Sequence, residues 1–455
     1  MSDTLLKAWN RTVRAAPDAP ALIDASVARV WKRRELDALA EAWSLAHRDA
    51  VAGQSVVFAE PNGVEWLRVF LGLLKSDAVV VALDPGEPQA VRRALADRVG
   101  ASLLWNGGPL ERLTARTRLP RDGRRLLKLT SGSTGTPRAL AFTDAQLLAD
   151  GRQVCSAMGI APGDLNFALI PFGHSYGLGN LVIPLLAQGT AVVAGTMALP
   201  QVMAAEIKRW KPSVFPAVPA LLRALVESAV APAQLRSLRT IVSAGAPLAP
   251  EIARAFHAKF GKKIHNFYGS SETGGITYDR TGNAALTGRS VGRPLRGVRL
   301  VFGRGGRFTV ASAAVFTLGN RQRRATRGGY RPADFAELNA QGELVLLGRA
   351  GRLVKIGGRR LNLAEVENVL MQLPGVRDAW VQLHAGRTDA LAAVVATDRT
   401  AGELRGALRE RLAAWKIPRK LVVVAEFPVT ARGKIDTRRL REMLERESAP
   451  PGDSA

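Results

Sequence analysis

The sequence predicts an α/β protein: a large N-terminal domain of βα-built sheets that includes a β-rich section, followed by a small α+β C-terminal domain. Three observations carry this. Apolar residues at helical spacing alternate with short β-rich runs through the first two thirds. The alternation loses its period between about residues 279 and 330, and a compact new unit of mixed order begins near 350. Length agrees, because a single hydrophobic core stops growing at roughly 250–300 residues and the chain has 455.

In chain order, Leu36, Leu39, Trp43 and Ala46 mark one helical face, followed by the run Val56–Ala59; Val64, Leu67, Leu71 and Leu74 mark a second, followed by Val79–Leu83. Thr143 and Gln146 have the spacing of a capping box and open a further helix. Strand-like runs at 165–170, 190–194, 213–218, 239–243 and 263–267 are separated by helix-length segments, the pattern of largely parallel sheets. The uncharged run from Leu165 to Ala204 is long enough to span a bilayer, but Asn180, Pro184, Gln188 and several glycines inside it predict buried helix, turn and strand instead. Gly and Arg dominate GRGGRF and GNRQRRATRGGY in the β-rich section. Beyond it the spacing predicts a helix at 363–372, strands at 376–383 and 389–396, a helix at 402–414 and a strand at 420–425. The domains expected are therefore 1–350, with its β-rich section at about 279–350, and 351–445, with a disordered tail at 446–455.

A composition of 47% hydrophobic and 23% charged residues excludes a disordered chain. The single cysteine, Cys155, cannot form an intramolecular disulfide, and the first residues lack the apolar stretch of a secretory signal, so a cytoplasmic location is expected. Lys and Arg number 64 against 39 Asp and Glu, a net charge of +25. That charge admits nucleic-acid binding, attraction of another acidic partner, or an arginine-rich background. A basic nucleic-acid-binding or non-catalytic scaffold protein is thus the rival class, although zinc-ligand spacing, an RNP-like segment and a basic leucine zipper are all missing from the sequence.

The segment Leu127–Arg138, LKLTSGSTGTPR, runs a strand into a loop of hydroxyls and glycines. Glycine lets backbone N–H groups turn inward around phosphate oxygens, and hydroxyls add donors. It is not a Walker loop, and on its own it reads equally well as a flexible turn.

Segments further along the chain make the pattern specific. The loop resembles the phosphate loop of the adenylate-forming (AMP-binding) superfamily of acyl-CoA synthetases, luciferases and peptide-synthetase adenylation domains. Further matches recur in family order: Pro171–Gly177 (PFGHSYG), Ser243–Leu248 (SAGAPL), Asn266–Gly274 (NFYGSSETG), Asp334, Gly348–Arg349, Lys355–Gly358 (KIGG) and Pro428–Lys434 (PVTARGK). An earlier segment, Leu74–Asp84, is similar to another family stretch.

The resemblance implies ATP-dependent joining of a carboxylic acid to AMP with release of pyrophosphate, then transfer to a pantetheine thiol. ATP, Mg²⁺ and CoA or phosphopantetheine are the implied cofactors. It implies that Thr130, Ser131, Gly132, Ser133, Thr134, Gly135 and Arg138 handle the phosphates, and that Ser271 adds a hydroxyl at the α-phosphate. Gly245, Ala246, Pro247, Asn266 and Tyr268 would hold the adenine, with Gly269 also in the ATP/AMP site. Asp334 and Arg349 would hold the ribose, and Glu272 the Mg²⁺, for which a hard oxygen ligand is suited. Lys434 is implied as the adenylation lysine, neutralising charge that builds up between carboxylate and α-phosphate. His174 is implied near the incoming carboxylate, in an acyl pocket with Tyr176, Gly245, Gly269 and Gly274. The C-terminal domain is implied to be mobile about Gly351, with Lys355 and Gly358 serving a thiol channel.

Four positions depart from the family pattern: Arg138 for lysine, Pro332–Ala333 before Asp334, Gly351 at the hinge, and Ala82 before Leu83–Asp84. Glu272, Asp334, Arg349 and Lys434 are intact, so an active enzyme is expected. Phe172–Asn180 contains no acid to pair with an ammonium group, which favours an aromatic or fatty acid over an amino acid. The acceptor is CoA or, alternatively, an acidic acyl carrier protein. Arginines around 352–360 and at 405, 409 and 411 suit either partner, or else form a solvated face. No nucleic acid is expected as a partner.

Overall fold

The computed structural model describes residues 3–87, 89–113, 123–130, 138–316, 325–326, 329–349, 352–356, 359–384, 390–430 and 435–446. The chain divides into two compact units, Met1–Pro332 with Glu337–Leu346, and Ala333–Ala336 with Leu347–Ala455.

The first unit holds two large sheets. One has nine strands in the order Arg293–Pro294, Gly274–Tyr278, Ile264–Ser270, Thr240–Ser243, Val214–Ala217, Leu165–Ala168, Ala191–Ala194, Pro20–Asp24 and Arg29–Lys32. Its inner strands, from Ile264–Ser270 to Pro20–Asp24, pair in parallel, and antiparallel strands close both edges. The other has six strands: Glu111–Arg112, Leu103–Trp105, Ser55–Phe58, Val79–Ala82, Arg124–Thr130 and Arg138–Thr143. It too is parallel within and antiparallel at its ends. Every residue of Ser55–Phe58, Ala191–Ala194, Val214–Ala217 and Thr240–Ser243 is buried, which explains why these strands read as unbroken apolar runs.

Helix Val64–Lys75 connects Ser55–Phe58 to Val79–Ala82 and buries Trp66, Val69, Phe70 and Leu73 besides Leu67, Leu71 and Leu74, so it is apolar on more sides than its spacing suggests. Helix Arg33–Val51 buries Leu36, Ala40 and Trp43 but leaves Ala46 exposed: its inner face bends toward Ala40 and Ser44 instead. Helix Asp144–Met158 starts with the reciprocal Thr143 and Gln146 capping bonds and ends on Gly159 in the left-handed conformation. The uncharged run becomes strand Leu165–Ala168, helix Ser175–Gly177, a π-helical turn Leu178–Val182, helix Ile183–Gln188 and strand Ala191–Ala194. Among the described residues no helix is long and apolar enough to cross a membrane.

After Leu165–Ala168 the chain adds Ala191–Ala194 on one side, then crosses to place Val214–Ala217 on the other and continues outward. This reversal is a topological switch point, where a crevice opens outside the carboxyl ends of the strands. Further on, Arg299–Phe302, Phe308–Ala311, Gly329–Tyr330 and Ala325–Thr326 form a four-stranded antiparallel sheet, with the short helix Asn283–Thr287 before it.

The second unit is built on strands Val376–Leu383, Leu391–Thr397 and Lys420–Val424. Helices Leu363–Met371 and Ala401–Arg409 pack Val366, Leu370, Leu404 and Leu408 with Val381, Ala393 and Val395. The expected helix over 402–414 is shorter, its last part becoming a 3-10 turn at Ala414–Lys416. Helix Thr437–Arg446 groups Leu440 and Leu444 with Trp380, Val394 and Val422, so both faces of the central strand are covered. Sequence spacing does not reveal this helix, because its apolar residues are few among arginines and glutamates.

Candidate active site

Several of the implied site residues meet along the carboxyl ends of the first unit's strands. Pro171–Gly177 follows Leu165–Ala168, Gly245–Pro247 follows Thr240–Ser243, and Tyr268–Glu272 lies where Ile264–Ser270 turns into Gly274–Tyr278. The first and third are tied directly, since the Ser175 hydroxyl donates to Ser271 Oγ at 2.9 Å. Tyr176 stacks on Phe267 with ring centroids 6.0 Å apart and donates its hydroxyl to the Val242 carbonyl at 3.3 Å. His174, half-buried, precedes the short helix Ser175–Gly177, and the tight return behind it requires glycine: a Cβ on Gly177 would lie 2.1 Å from the Pro171 carbonyl oxygen.

Asn266 and Tyr268 are two apart on one strand and therefore share a face. Asn266 Nδ2 donates to the Ser290 carbonyl at 3.3 Å. A register shift between Tyr268 and Gly269 turns the strand end, where Gly269 packs against the Gly274 carbonyl. The buried Thr273 fixes the turn, its Oγ1 accepting from Ser270 N–H at 3.3 Å and donating to the Gly274 carbonyl at 2.9 Å. Glu272 stands half-buried at the tip. Its carbonyl accepts from Phe316 N–H at 3.0 Å and its Oε1 from the Tyr330 hydroxyl at 3.2 Å. Gly245 has φ +85°, and the nearest atom to an added Cβ is Val218 Cγ1 at 3.6 Å.

Two charges behind this turn are not evident from the sequence. Lys128, in strand Arg124–Thr130, is 5% exposed, with Nζ 4.3 Å from the Phe142 ring centroid. Asp150, in helix Asp144–Met158, is also 5% exposed, and its Oδ1 accepts from Gly275 N–H at 2.9 Å. Burial pushes the Asp150 carboxyl up, opposed by Lys128 and the Gly275 N–H. Burial likewise pushes Lys128 down, opposed by Asp150 and Glu272. A lysine between Leu127 and Leu129, and an aspartate three residues after the buried Leu147, are the available signals. Asp84 is a third residue that sequence reasoning does not connect to the site: it ends the Leu74–Asp84 segment, and its Oδ2 lies 3.4 Å from His174 Nε2.

In the second unit, Asp334 Oδ1 and Arg349 Nε are 3.6 Å apart. Ser131, Gly132, Ser133, Thr134, Gly135, Gly351, Gly358 and Lys434 lie outside the described residues. Thr130, Arg138 and Lys355 are placed as backbone in strands Arg124–Thr130, Arg138–Thr143 and Leu353–Ile356. The residues present fit the implied groups. The Gly245 backbone and the Asn266–Tyr268 face suit a planar base. Mg²⁺ usually takes one or two protein carboxylates, of which Glu272 can supply one; among the described residues no cluster of three or more metal-ligating side chains gathers.

Comparison with known proteins gives two family matches. The AMP-binding enzyme family matches residues 125–302, and the AMP-binding enzyme C-terminal domain matches residues 365–434. The chain is 29% identical to a probable non-canonical nonribosomal peptide synthetase, CymA of Salinispora arenicola, over 96% of its own length and 6% of that protein's. It is 30% identical to the benzoate–CoA ligase of Thauera aromatica over 69% of its length and 64% of that enzyme's. It thus spans less than two thirds of either relative. The crystal structure of ATP-bound MatB from Rhodopseudomonas palustris shares the fold with a TM-score of 0.86 at 20% identity, covering 99% of this chain and 100% of that one.

Proposed function

The chain belongs to the AMP-binding enzyme family, and from that premise we propose that it is an ATP-dependent carboxylate ligase that converts an aromatic acid to its CoA thioester. The observation that carries this reading is the gathering of His174–Tyr176, Gly245–Pro247 and Tyr268–Glu272 at one sheet edge, tied by the Ser175–Ser271 hydrogen bond.

In the first half-reaction a carboxylate oxygen of the acid attacks the α-phosphorus of ATP, and the bond to the pyrophosphate oxygen breaks. Two anions must approach, so the site has to supply cations and donors. Asn266, Tyr268 and the Gly245–Pro247 backbone orient the adenine, and Asp334 with Arg349 the ribose. Ser271 and the 130–138 loop hold phosphate oxygens, and the Lys434 ammonium stabilises charge on the entering carboxylate and the α-phosphate. Mg²⁺, when bound, offsets phosphate charge, and Glu272 is the side chain that would hold it. In the second half-reaction the CoA sulfur attacks the acyl carbon, the bond from that carbon to the AMP oxygen breaks and AMP leaves, the thiol proton passing to solvent, with Lys355 and Gly358 serving the thiol.

An aromatic acid is favoured by the similarity to a benzoate–CoA ligase and by the pocket's make-up. Tyr176, His174 and the bare backbone of Gly245, Gly269 and Gly274 suit a flat ring. Asp150 does not serve as an ammonium partner, because it is buried behind Gly274 and Gly275 and held by the latter's N–H.

Acid-dependent exchange of labelled pyrophosphate into ATP tests the reading, across benzoates, other aryl acids, fatty acids and amino acids. Exchange with aryl acids is expected, followed by thioester formation when CoA is added. Absence of exchange across the whole panel overturns the proposal. A purified carrier protein as acceptor, active where CoA is not, overturns the choice of thiol.

A further inference from the structure

We propose that Asp84 is a positioning residue for His174, fixing the tautomer and orientation of the imidazole in the acyl pocket; the pocket role rests on the function proposed above. The geometry is that of a clamp between the two sheets of the first unit. Asp84 follows strand Val79–Ala82 and Asn62 follows strand Ser55–Phe58, both at the carboxyl edge of the six-stranded sheet, whereas His174 follows a strand of the nine-stranded one.

Asn62 grips the backbone just before His174, its Nδ2 donating to the Ile170 carbonyl at 2.8 Å and its Oδ1 accepting from Phe172 N–H at 2.7 Å. Gly173 lies against Ala82, where an added Cβ would approach Ala82 Cβ to 3.1 Å. His174 N–H closes the turn onto the Pro171 carbonyl at 3.1 Å. The main chain at His174 is thereby held, and only the ring remains to be set.

Asp84 sets it. Its Oδ1 accepts from Gly86 N–H at 2.9 Å, which orients the carboxylate, and its Oδ2 faces His174 Nε2 at 3.4 Å with only 15% of the aspartate side chain exposed. A carboxylate is an acceptor alone, so the ring nitrogen facing it carries the proton, and a neutral imidazole then keeps its lone pair on Nδ1. The Leu74–Asp84 segment has no place among the nucleotide-binding residues. In this arrangement it brings an orienting acid to the residue beside the substrate.

The test uses the full-length protein and the variants Asp84→Asn, Asp84→Ala and His174→Phe. Asp84→Asn keeps the side chain's size but exchanges one carboxylate oxygen for an NH₂ donor, so either Gly86 N–H or His174 Nε2 faces a donor instead of an acceptor. ¹⁵N spectra of the five histidines, recorded with the rings neutral and with His174 assigned by its loss in His174→Phe, report the tautomer without reference to catalysis. The wild type is expected to show the Nε2–H form, and Asp84→Ala a mixture. In pyrophosphate exchange, Asp84→Asn is expected to raise KM for the acid about tenfold, the scale of one lost hydrogen bond, with KM for ATP changed less than twofold. In the His174→Phe background it should add nothing. Unchanged His174 resonances in Asp84→Ala, or an equal effect of Asp84→Asn with and without His174, overturn the positioning role. A wild type that shows the Nε2–H tautomer but no exchange with any acid overturns the activity reading instead.

Discussion

Replacing Gly274 with alanine tests whether the turn that carries Glu272 rests on Asp150. Gly274 has φ +68°, and a Cβ there would stand 2.2 Å from Asp150 Oδ1, 2.5 Å from Cγ and 2.9 Å from Oδ2. A left-handed residue other than glycine costs about 1–2 kcal/mol. On its other side the carboxylate lies close to Gly179, where an added Cβ would be 2.8 Å from its Oδ2. Relief therefore means giving up the 2.9 Å bond from Gly275 N–H, and a hydrogen bond to a charged group is worth about 1.5–3 kcal/mol. Together these predict a loss of about 3–5 kcal/mol, read as a lower urea midpoint by tryptophan fluorescence.

The companion Asp150→Ala removes the obstacle and with it the acceptor of the Gly275 N–H, at a cost of about 1.5–3 kcal/mol, while Lys128 keeps Glu272 as an acidic neighbour. In the double variant the steric part of the Gly274→Ala cost vanishes, so the two losses should fall short of their sum by about 2 kcal/mol, well outside the roughly 0.5 kcal/mol seen for independent sites. A Gly274→Ala protein within about 1 kcal/mol of the wild type, or strictly additive losses, would refute the coupling.

Two other perturbations bear on the site and on the core behind it. Lys434→Ala should suppress pyrophosphate exchange by about a hundredfold or more while sparing thioester formation from supplied acyl adenylate; equal loss of both steps contradicts a role confined to adenylation. Cys155 is buried and its thiol is pushed up to about 12 by that burial, with Asp150 and Asp164 adding to the effect. A disulfide reagent at pH 8 should therefore label it only after denaturant is added, and rapid labelling of the native protein would contradict the packing.

The parallel strands are legible in the sequence because burial on both faces writes itself as short apolar runs, and the nucleotide-binding turns because their residue types and order are unusual together. Charge is the blind spot. Lys128 sits in Arg124–Thr130 among residues that read as an ordinary strand, and nothing local distinguishes an ammonium over Phe142 from one in water. Asp150 shares the buried face of its helix with Leu147 and Val154, but its partner Gly275 is 125 residues away. Asp84 stands out in sequence only for its likeness to a family segment, and its bearing on His174 depends on how two sheets meet. Helix Thr437–Arg446 escapes notice for a related reason: among its described side chains only Leu440 and Leu444 are buried, too few to stand out against its arginines.

The π-helical turn Leu178–Val182 gives the acyl side of the site an unusual property. Such a turn spans one more residue than an α-helical turn, and it lies between the segment bearing His174 and Tyr176 and the buried helix Ile183–Gln188. Each residue of an α-helix advances the side chains by about 100°. Loss of a single residue here would regularise the helix without swinging the His174–Tyr176 end by such an angle, because the wide turn already absorbs the extra residue, and Ile183, Leu185 and Leu186 would stay in the core. The turn is therefore a place where one residue can be gained or lost with the segments on either side of it kept in register.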